Sequence, residues 1–292
     1  VSRSFGAAKT ASLDDYRDVL PSAWYYSDMG KAVKMGAFQG ANGLLNPDAP
    51  ITREEAFTVL ARAFALEGGG SATLKDFVDG GTVSSWASES VAALVAGGYV
   101  NGANGMLNLK NNITRAEFAK VITGMAASYV GAEGVSGKTV EGNVIVRESG
   151  ASLSGMTING DLILADGAAQ ADLTNVTVTG RILIRGGADG VTFGNTSAGR
   201  GIIVHSDVSI AGTADSITVA GAAAVTVQSG ASVGSITVNA ENAKITGAGR
   251  VGEVRANADN VSVSTSGTRV SASEDVSGVQ AGSKTVAAGK TE

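Results

Sequence analysis

The chain has 292 residues, a formal net charge of −5, one histidine and no cysteine. Without cysteine it can hold neither a disulfide framework nor a cysteine-based zinc site or thiol nucleophile. The mildly acidic charge and the scattered basic residues argue against a nucleic-acid partner bound through counterion release. No apolar run reaches the about 18 residues that a membrane span requires.

The composition of the chain changes near residue 130. Both tryptophans and all five tyrosines lie before that point. The remainder is rich in Val, Ile, Thr, Ser, Ala and Gly, which suits many short strands. The sequence therefore predicts a two-domain α + β protein, helical in front and β-rich behind.

Two stretches in the front part, GANGLLN at residues 40–46 and GANGMLN at residues 102–108, are nearly identical. The same offset of 62 residues aligns the triplet ITR at 51–53 with ITR at 113–115. Because Gly and Asn adopt positive φ at low cost, the shared stretch is a turn that reverses the chain between two helices. The sequence predicts one helix–turn–helix unit that occurs twice.

The first helix of each unit is predicted to begin near a tryptophan, Trp24 in one copy and Trp86 in the other. Apolar residues spaced by three and four predict one buried face for each of these helices. That face comprises Met29, Ala32, Val33 and Gly36 in the first copy, and Trp86, Val91, Leu94, Val95 and Gly98 in the second.

The second helix of each unit is predicted to begin with a capping box, formed by Thr52 and Glu55 or by Thr114 and Glu117. In such a box the two side chains satisfy backbone N–H groups that the helix leaves unpaired. The apolar run that follows in the second copy, and predicts a buried face, is Phe118, Val121, Ile122 and Met125.

The capping box does not account for Arg53 and Arg115, which stand in the first turn of the two second helices. A cation there meets the positive end of the helix dipole and costs about 0.3 to 1 kcal/mol. A helix start and a guanidinium together make a good site for a carboxylate or phosphate. The sequence therefore predicts an anion site at each helix start, with an intramolecular carboxylate as the alternative partner.

An aromatic-x-Asp element precedes each first helix, with Asp18 after Tyr16 in the first copy and Asp79 after Phe77 in the second. Taken alone, such an element indicates a core aromatic residue and an aspartate that caps a helix or stabilises a turn. Together with the tryptophan and the ITR triplet, it forms a longer pattern.

That pattern, F-x-D, then W, a Gly-containing turn and ITRAEFA, resembles the S-layer homology (SLH) motif over about residues 16–128. ITRAEFA is intact at Ile113–Ala119, and the first copy has ITREEAF. The resemblance implies an exported protein of the bacterial cell wall or S-layer, anchored noncovalently to acidic, often pyruvylated, cell-wall polysaccharide. The candidate glycan-binding residues that it implies are Arg53, Arg115, Asp18, Asp79, Trp24, Trp86, Thr52 and Thr114.

The sequence departs from the SLH pattern in two respects. SLH domains commonly have three motifs around a pseudo-threefold axis, whereas only two are found here. Either two units suffice, a third is missing from this sequence, or another chain supplies it. In addition, Tyr16 replaces the usual Phe and Glu54 the usual Ala, so the first copy is the more divergent.

The back part has a second periodicity. Gly142, Gly160, Gly180 and Gly201 each precede alternating aliphatic residues, and Gly221 continues a spacing of about 18 to 21 residues. Regular Gly spacing with short Val- and Ile-rich strands predicts stacked coils of a parallel right-handed β-helix, or β-solenoid. A β-sandwich is the alternative, but strong Asn-Gly hairpin turns are lacking. In coil length this part resembles bactofilin-like β-helices.

The predicted domain boundaries follow from these patterns. They are a lead segment at 1–15, two SLH repeats within 16–130 (about 16–66 and 74–128), a Gly-rich joint at 131–137, the solenoid at 138–266 and a polar cap or linker at 267–292.

The solenoid is not predicted to be an enzyme, because its carboxylates do not recur at one position of the coil. They are Asp161, Asp166, Asp172, Asp189 and Asp207. The single histidine, His205, is predicted to be exposed and incidental, and GGADG at 186–190 only loosely resembles a calcium repeat. We expect a rigid spacer or S-layer assembly element without cofactor or metal, with a homo-oligomer or lattice as a further partner. The alternative is an SLH-anchored carbohydrate-active β-helix enzyme, a polysaccharide lyase or hydrolase.

Overall fold

The computed structural model describes residues 1–70 and 73–292 in full and residues 71–72 by their backbone. The chain divides into two compact units, Val1–Ala126 and Ala127–Glu292. The first unit is helical and the second is a β-solenoid, so the two-domain α + β class predicted from the sequence is confirmed.

The helical unit is built from two helix pairs. Within the described residues its helices are α1 Tyr26–Lys34, α2 Arg53–Ala63, α3 Ser85–Ala96 and α4 Arg115–Gly124, with short 3₁₀ helices at Ser71–Asp76 and Gly80–Thr82. The first repeat contributes α1 and α2, and the second contributes α3 and α4. Both second helices begin with the predicted capping box, in which threonine and glutamate satisfy each other's backbone.

The two second helices differ in burial. Phe57 and Leu60 of α2 are fully buried, and α2 packs against α3 of the second repeat. In α4 no residue is fully buried, and Phe118 is only partly covered. Of the residues expected to form the buried face of α4, only Met125, just beyond the helix, is buried. Within the described part of the helical unit, no helix packs on α4 as α3 packs on α2.

The lead segment belongs to the core of the helical unit. Phe5 and Leu13 are buried, and the Phe5 ring meets the Phe64 ring edge to face with 5.1 Å between their centres. Phe5 N donates a hydrogen bond to the carbonyl oxygen four residues earlier, that of Val1, and Phe64 N donates in the same way to Leu60 O. Residues 2–6 therefore form a hydrogen-bonded turn, which the sequence did not reveal.

The solenoid consists of short strands wound around one apolar core. In chain order the strands are β1 Ser128–Val130, β2 Val135–Ser136, β3 Thr139–Glu141, β4 Val144–Val146, β5 Ala151–Ser154, β6 Thr157–Asn159, β7 Leu162–Leu164, β8 Gln170–Thr174, β9 Thr177–Val178, β10 Ile182–Ile184, β11 Gly190–Gly194, β12 Ser197–Ala198, β13 Ile202–Val204, β14 Val208–Val219, β15 Ala224–Val227, β16 Ser232–Val238, β17 Lys244–Thr246, β18 Arg250–Ala256, β19 Ser262–Val263, β20 Arg269–Ala272, β21 Val279–Ala281 and β22 Lys284–Val286.

Successive coils stack their strands in parallel, which confirms the β-solenoid. One face runs from β1 through β4, β7, β10 and β13 to β20, and a second runs from β2 through β5, β8 and β11 to β21. A third face contains β3, β6, β9 and β12. Strand β14 joins the first two faces, because its start pairs with β11 and its end with β13. Inward Val, Ile, Leu and Ala side chains fill the core.

The coil length changes in the middle of the solenoid. Leu162 pairs with Ile182 and Ile182 with Ile202, a spacing of 20 residues, but Ile202 pairs with Ile217 after only 15. The expected continuation of the glycine pattern at Gly221 is therefore wrong in register. The strand after Gly221 is β15, which lies on the second face.

The solenoid extends beyond both predicted limits. It begins at β1, so the expected joint at 131–137 lies within the first coil, where β2 already pairs with β5. At the other end β20 and β21 form a further coil within the segment expected to be a cap or linker. Alternating buried Val and Ala residues in these strands supply the core contacts.

Residues 283–292, here named the closing segment, complete the last coil differently from all others. β22 pairs with β21 in the antiparallel sense. Val270 N donates to Glu292 O at 2.8 Å and Ala272 N to Lys290 O at 3.0 Å, so the edge of β20 is occupied too. Val286 is the buried side chain of this segment.

Candidate functional site at the starts of the second helices

The repeated turn is held by the aspartate of the aromatic-x-Asp element. Asp79 accepts hydrogen bonds from Leu107 N at 2.7 Å and Asn108 N at 2.6 Å, just after the turn. The turn itself is a tight hairpin in which Asn104 and Gly105 both have positive φ. The aspartate is thus used within the fold, in agreement with the structural interpretation of this element.

Asp18 holds the first turn in the same way. It accepts hydrogen bonds from Leu45 N at 3.0 Å and Asn46 N at 2.6 Å. Desolvation acts to raise the pKa of Asp18, but these backbone donors outweigh it and lower the pKa below its ordinary value. Glycine is required beside this turn, because a Cβ at Gly40 would lie 2.3 Å from Leu44 O.

Arg53 is bound within the protein. Its Nη1 lies 2.8 Å from Oε1 of Glu117, and its Nε lies 2.8 Å from Leu107 O, both in the second repeat. The guanidinium also lies 5.1 Å from the centre of the Phe57 ring, and only 15% of the Arg53 side chain is exposed. An intramolecular carboxylate, the alternative considered from the sequence, is therefore the partner of Arg53.

The backbone donors at the start of α2 are occupied as well. Arg53 N donates to Asn111 O at 2.9 Å, and Glu54 N donates to Leu109 O at 3.1 Å. The segment after the second turn thus covers the helix start of the first repeat. Thr52 Oγ1 accepts from the next backbone N–H, that of Glu55. These three N–H groups of the first turn are therefore not available to an external anion.

The start of α4 has the same motif in a different environment. Thr114 Oγ1 accepts from Glu117 N at 3.2 Å, so the capping box is intact. Arg115 is exposed. Within the described chain no group accepts a hydrogen bond from the backbone N–H of Arg115 or Ala116, and none forms an ion pair with Arg115. A guanidinium and two N–H groups are therefore available to an anion here.

Both capping glutamates serve the helix starts, but Glu117 has a second partner. Hydrogen bonds from the Thr114 backbone and hydroxyl lower the pKa of Glu117, and desolvation opposes them. The guanidinium of Arg53 lowers this pKa further. Glu117 is thus ionised at neutral pH and joins the two repeats through Arg53.

Glu54, where the SLH pattern has alanine, is buried between the repeats. Its carboxylate accepts hydrogen bonds from Ser84 N at 3.1 Å, Ser84 Oγ at 2.9 Å and Lys110 Nζ at 2.7 Å. Burial acts to raise the pKa of Glu54, but the Lys110 and Ser84 hydrogen bonds outweigh it and lower the pKa. Sequence reasoning missed this cluster, although the contrast between Glu54 and Ala116 at one motif position was a signal.

The two tryptophans lie on the surface. Trp24 is 88% exposed and meets the Tyr25 ring edge to face, and Trp86 is 53% exposed. The expected placement of Trp86 on the buried face of its helix is therefore wrong, because that face is formed by Val91 and Leu94. Exposed aromatic rings of this size can stack on sugar rings or partner surfaces.

Two of the five solenoid carboxylates that were considered for catalysis form ion pairs. Asp161 forms an ion pair with Arg181 at 2.6 Å and Asp166 one with Arg185 at 3.0 Å. His205 is not exposed as expected. Its Nε2 is buried without a hydrogen-bond partner among the described residues, and desolvation, assisted by Arg185 and Arg181, lowers its pKa from 6.5 to about 4.

None of the helices among the described residues is both long and apolar enough to traverse a bilayer. No group of three or more His, Cys, Asp or Glu side chains, again among the described residues, could hold a metal ion.

The sequence matches the S-layer homology domain at residues 15–57 and 76–119. It is 40% identical over 114 residues to a surface-layer 125 kDa protein of Lysinibacillus sphaericus. The matched residues are 37% of this chain and 10% of the relative. No solved structure matches the chain significantly.

Two further relatives are named as enzymes. An amylopullulanase of Thermoanaerobacterium thermosulfurigenes is 34% identical over 118 residues, which are 38% of this chain and 6% of the relative. The exoglucanase XynX of Acetivibrio thermocellus is 32% identical over 117 residues, which are 38% of this chain and 11% of the relative. The chain thus spans only about a tenth or less of the curated relatives that it matches. Its helical unit contains two S-layer homology repeats, which indicate a cell-surface protein anchored to the cell wall.

Proposed function

We propose that this chain is a non-catalytic cell-envelope protein that binds an acidic polysaccharide of the cell wall through the second repeat. The observation that carries the proposal is the open start of α4, where Arg115 and two backbone N–H groups have no partner among the described residues. A carboxylate on a glycan suits such a site, because it can accept from the guanidinium and the helix start together.

The comparison of the two helix starts supports this assignment. In the first repeat the equivalent groups receive three carbonyl oxygens and the carboxylate of Glu117. In the first repeat this arrangement of donors binds oxygen acceptors, and in the second repeat no acceptor among the described residues occupies it. The exposed rings of Trp24 and Trp86 add surfaces on which sugar rings can stack.

We assign the solenoid the role of a rigid spacer or S-layer assembly element. Parallel in-register stacking over one apolar core supports a stiff rod-like module rather than a flexible linker. Assembly into a homo-oligomer or lattice is the second part of this assignment, and light scattering of the purified protein tests it.

The test of anchoring is sedimentation of the purified protein with cell walls that carry acidic polysaccharide. Arg115→Ala should weaken binding at least about tenfold, because a hydrogen-bonded charge pair contributes about 1.5 to 3 kcal/mol. Arg250→Ala, which removes an exposed arginine of the solenoid, is the matched control and should bind like the unaltered protein. Walls stripped of polysaccharide should bind neither.

Arg53→Ala separates this proposal from one in which both arginines bind glycan. Because Arg53 joins the repeats, its removal should lower the stability of the helical unit and leave wall binding intact while the unit is folded. If the Arg115→Ala variant binds cell walls as well as the unaltered protein, the proposal is wrong.

The second candidate is a carbohydrate-active enzyme anchored by the SLH repeats, since two relatives that share the SLH region with this chain are named as enzymes. A shallow groove on the last coils, which includes Glu253 and Arg269, is where such activity would be sought. Release of reducing sugar from cell-wall polysaccharide by the purified chain, abolished by Glu253→Gln, would establish it.

A further inference from the structure

The junction between the two repeats contains a cation that the proposed function does not use. Lys110 follows the second turn, and its side chain is 51% exposed. Its Nζ lies 2.7 Å from Oε1 of Glu54 and 2.6 Å from Ser84 Oγ. Without Glu54, Lys110 would offer a positive charge at the surface beside Ser84.

Glu54 neutralises this charge from the inside. Only 6% of its side chain is exposed, and both of its oxygens accept hydrogen bonds from the Ser84 and Lys110 groups. A buried carboxylate that keeps three donors is held firmly, because releasing it would leave an uncompensated charge. An external carboxylate would have to displace it to reach Lys110.

We propose that Glu54 is a specificity-determining residue, which prevents an acidic sugar from binding at the junction between the repeats and restricts it to Arg115. The second repeat has alanine, Ala116, at the corresponding position, so it lacks this carboxylate. The inference rests on the proposed function for the identity of the ligand. The exclusion of an external carboxylate by the Glu54 carboxylate does not depend on that function.

The test uses gain of binding, which a merely structural role of Glu54 would not produce. Arg115→Ala should abolish most wall binding, and Glu54→Ala in that background should restore it at least about tenfold by releasing Lys110. A third substitution, Lys110→Ala, should remove the restored binding again. Failure of the double variant to regain binding would overturn the inference.

A second variant guards against loss of folding. Glu54→Gln keeps the volume of the side chain and can still accept from Ser84, but it no longer neutralises Lys110. In the Arg115→Ala background it should restore binding as well, and circular dichroism should show the native helix content. If both folded variants remain without binding, Glu54 does not set the specificity.

A small-molecule probe makes the outcome independent of the cell wall. Pyruvate titrated into the Glu54→Ala protein should give a saturable shift of the Ser84 amide resonance that the unaltered protein lacks. If the unaltered protein fails to bind walls but this shift appears, only the proposed function fails. If the unaltered protein binds walls and no variant gains a pyruvate site, only this inference fails.

Discussion

At the scale of single residues, the two arginines of the repeated motif show what a sequence pattern can and cannot predict. The pattern located both helix starts and both capping boxes. It could not predict that Arg53 reaches Glu117, because the two residues are 64 positions apart and meet only through packing of the repeats. The same holds for Glu54 and Lys110.

Asp79 should be a stability residue. Asp79→Ala leaves the amides of Leu107 and Asn108 without their acceptor, which should lower the free energy of unfolding of the helical unit by about 1 to 3 kcal/mol. Asp76→Ala, an exposed aspartate three positions earlier, is the control. Urea unfolding followed by circular dichroism checks it, and equal midpoints for the two variants would contradict a role in holding the turn.

His205 should make the solenoid less stable in mild acid. Its pKa is lowered from 6.5 to about 4, so between these values the unfolded chain binds a proton that the folded chain does not. The free energy of unfolding should therefore fall as the pH decreases from about 6.5 to about 4, by up to ~3 kcal/mol, with no contribution at higher pH.

The comparison that isolates this effect is His205→Gln, which cannot titrate. Urea midpoints at neutral pH and near pH 4.5 should differ more for the unaltered protein than for the variant. The same pH dependence in both would show that His205 does not control acid stability.

At the scale of elements, the closing segment is the part of the solenoid with a protective role. Strand edges with free N–H and C=O groups invite association, and residues 283–292 occupy the edges of β20 and β21. Deleting residues 283–292 should therefore increase oligomerisation. A wider deletion of residues 267–292, the cap or linker predicted from the sequence, would also remove β20 and β21 and so disturb the coil itself.

Light scattering on the full and shortened chains measures this effect. Val286→Ser, which keeps the segment but weakens its buried contact, should give an intermediate degree of association. A shortened chain that stays monomeric with native circular dichroism would mean that side chains of the last coil protect its edge.

At the scale of the whole molecule, the architecture was more predictable than its register. Glycine spacing and aliphatic alternation were enough to predict stacked coils, because each coil repeats the same local requirements. The shortened coil between Ile202 and Ile217 was not predictable, since β14 crosses from one face to the next without a glycine at the expected place. The extent of the solenoid was underestimated where Ala and Ser replace the larger aliphatic residues.

The parallel stacking of the coils has a mechanical consequence. Hydrogen bonds between neighbouring strands run perpendicular to those strands, so in this unit they run along the solenoid axis. A force along the axis acts on the hydrogen bonds of all faces between two neighbouring coils at once. Several bonds must therefore break in one event. The closing segment is different, because a force applied to the chain at Glu292 can peel this segment from β20 and β21 one bond at a time. Once it is removed, the next parallel edge is presented to the same force, so rupture travels along the rod coil by coil.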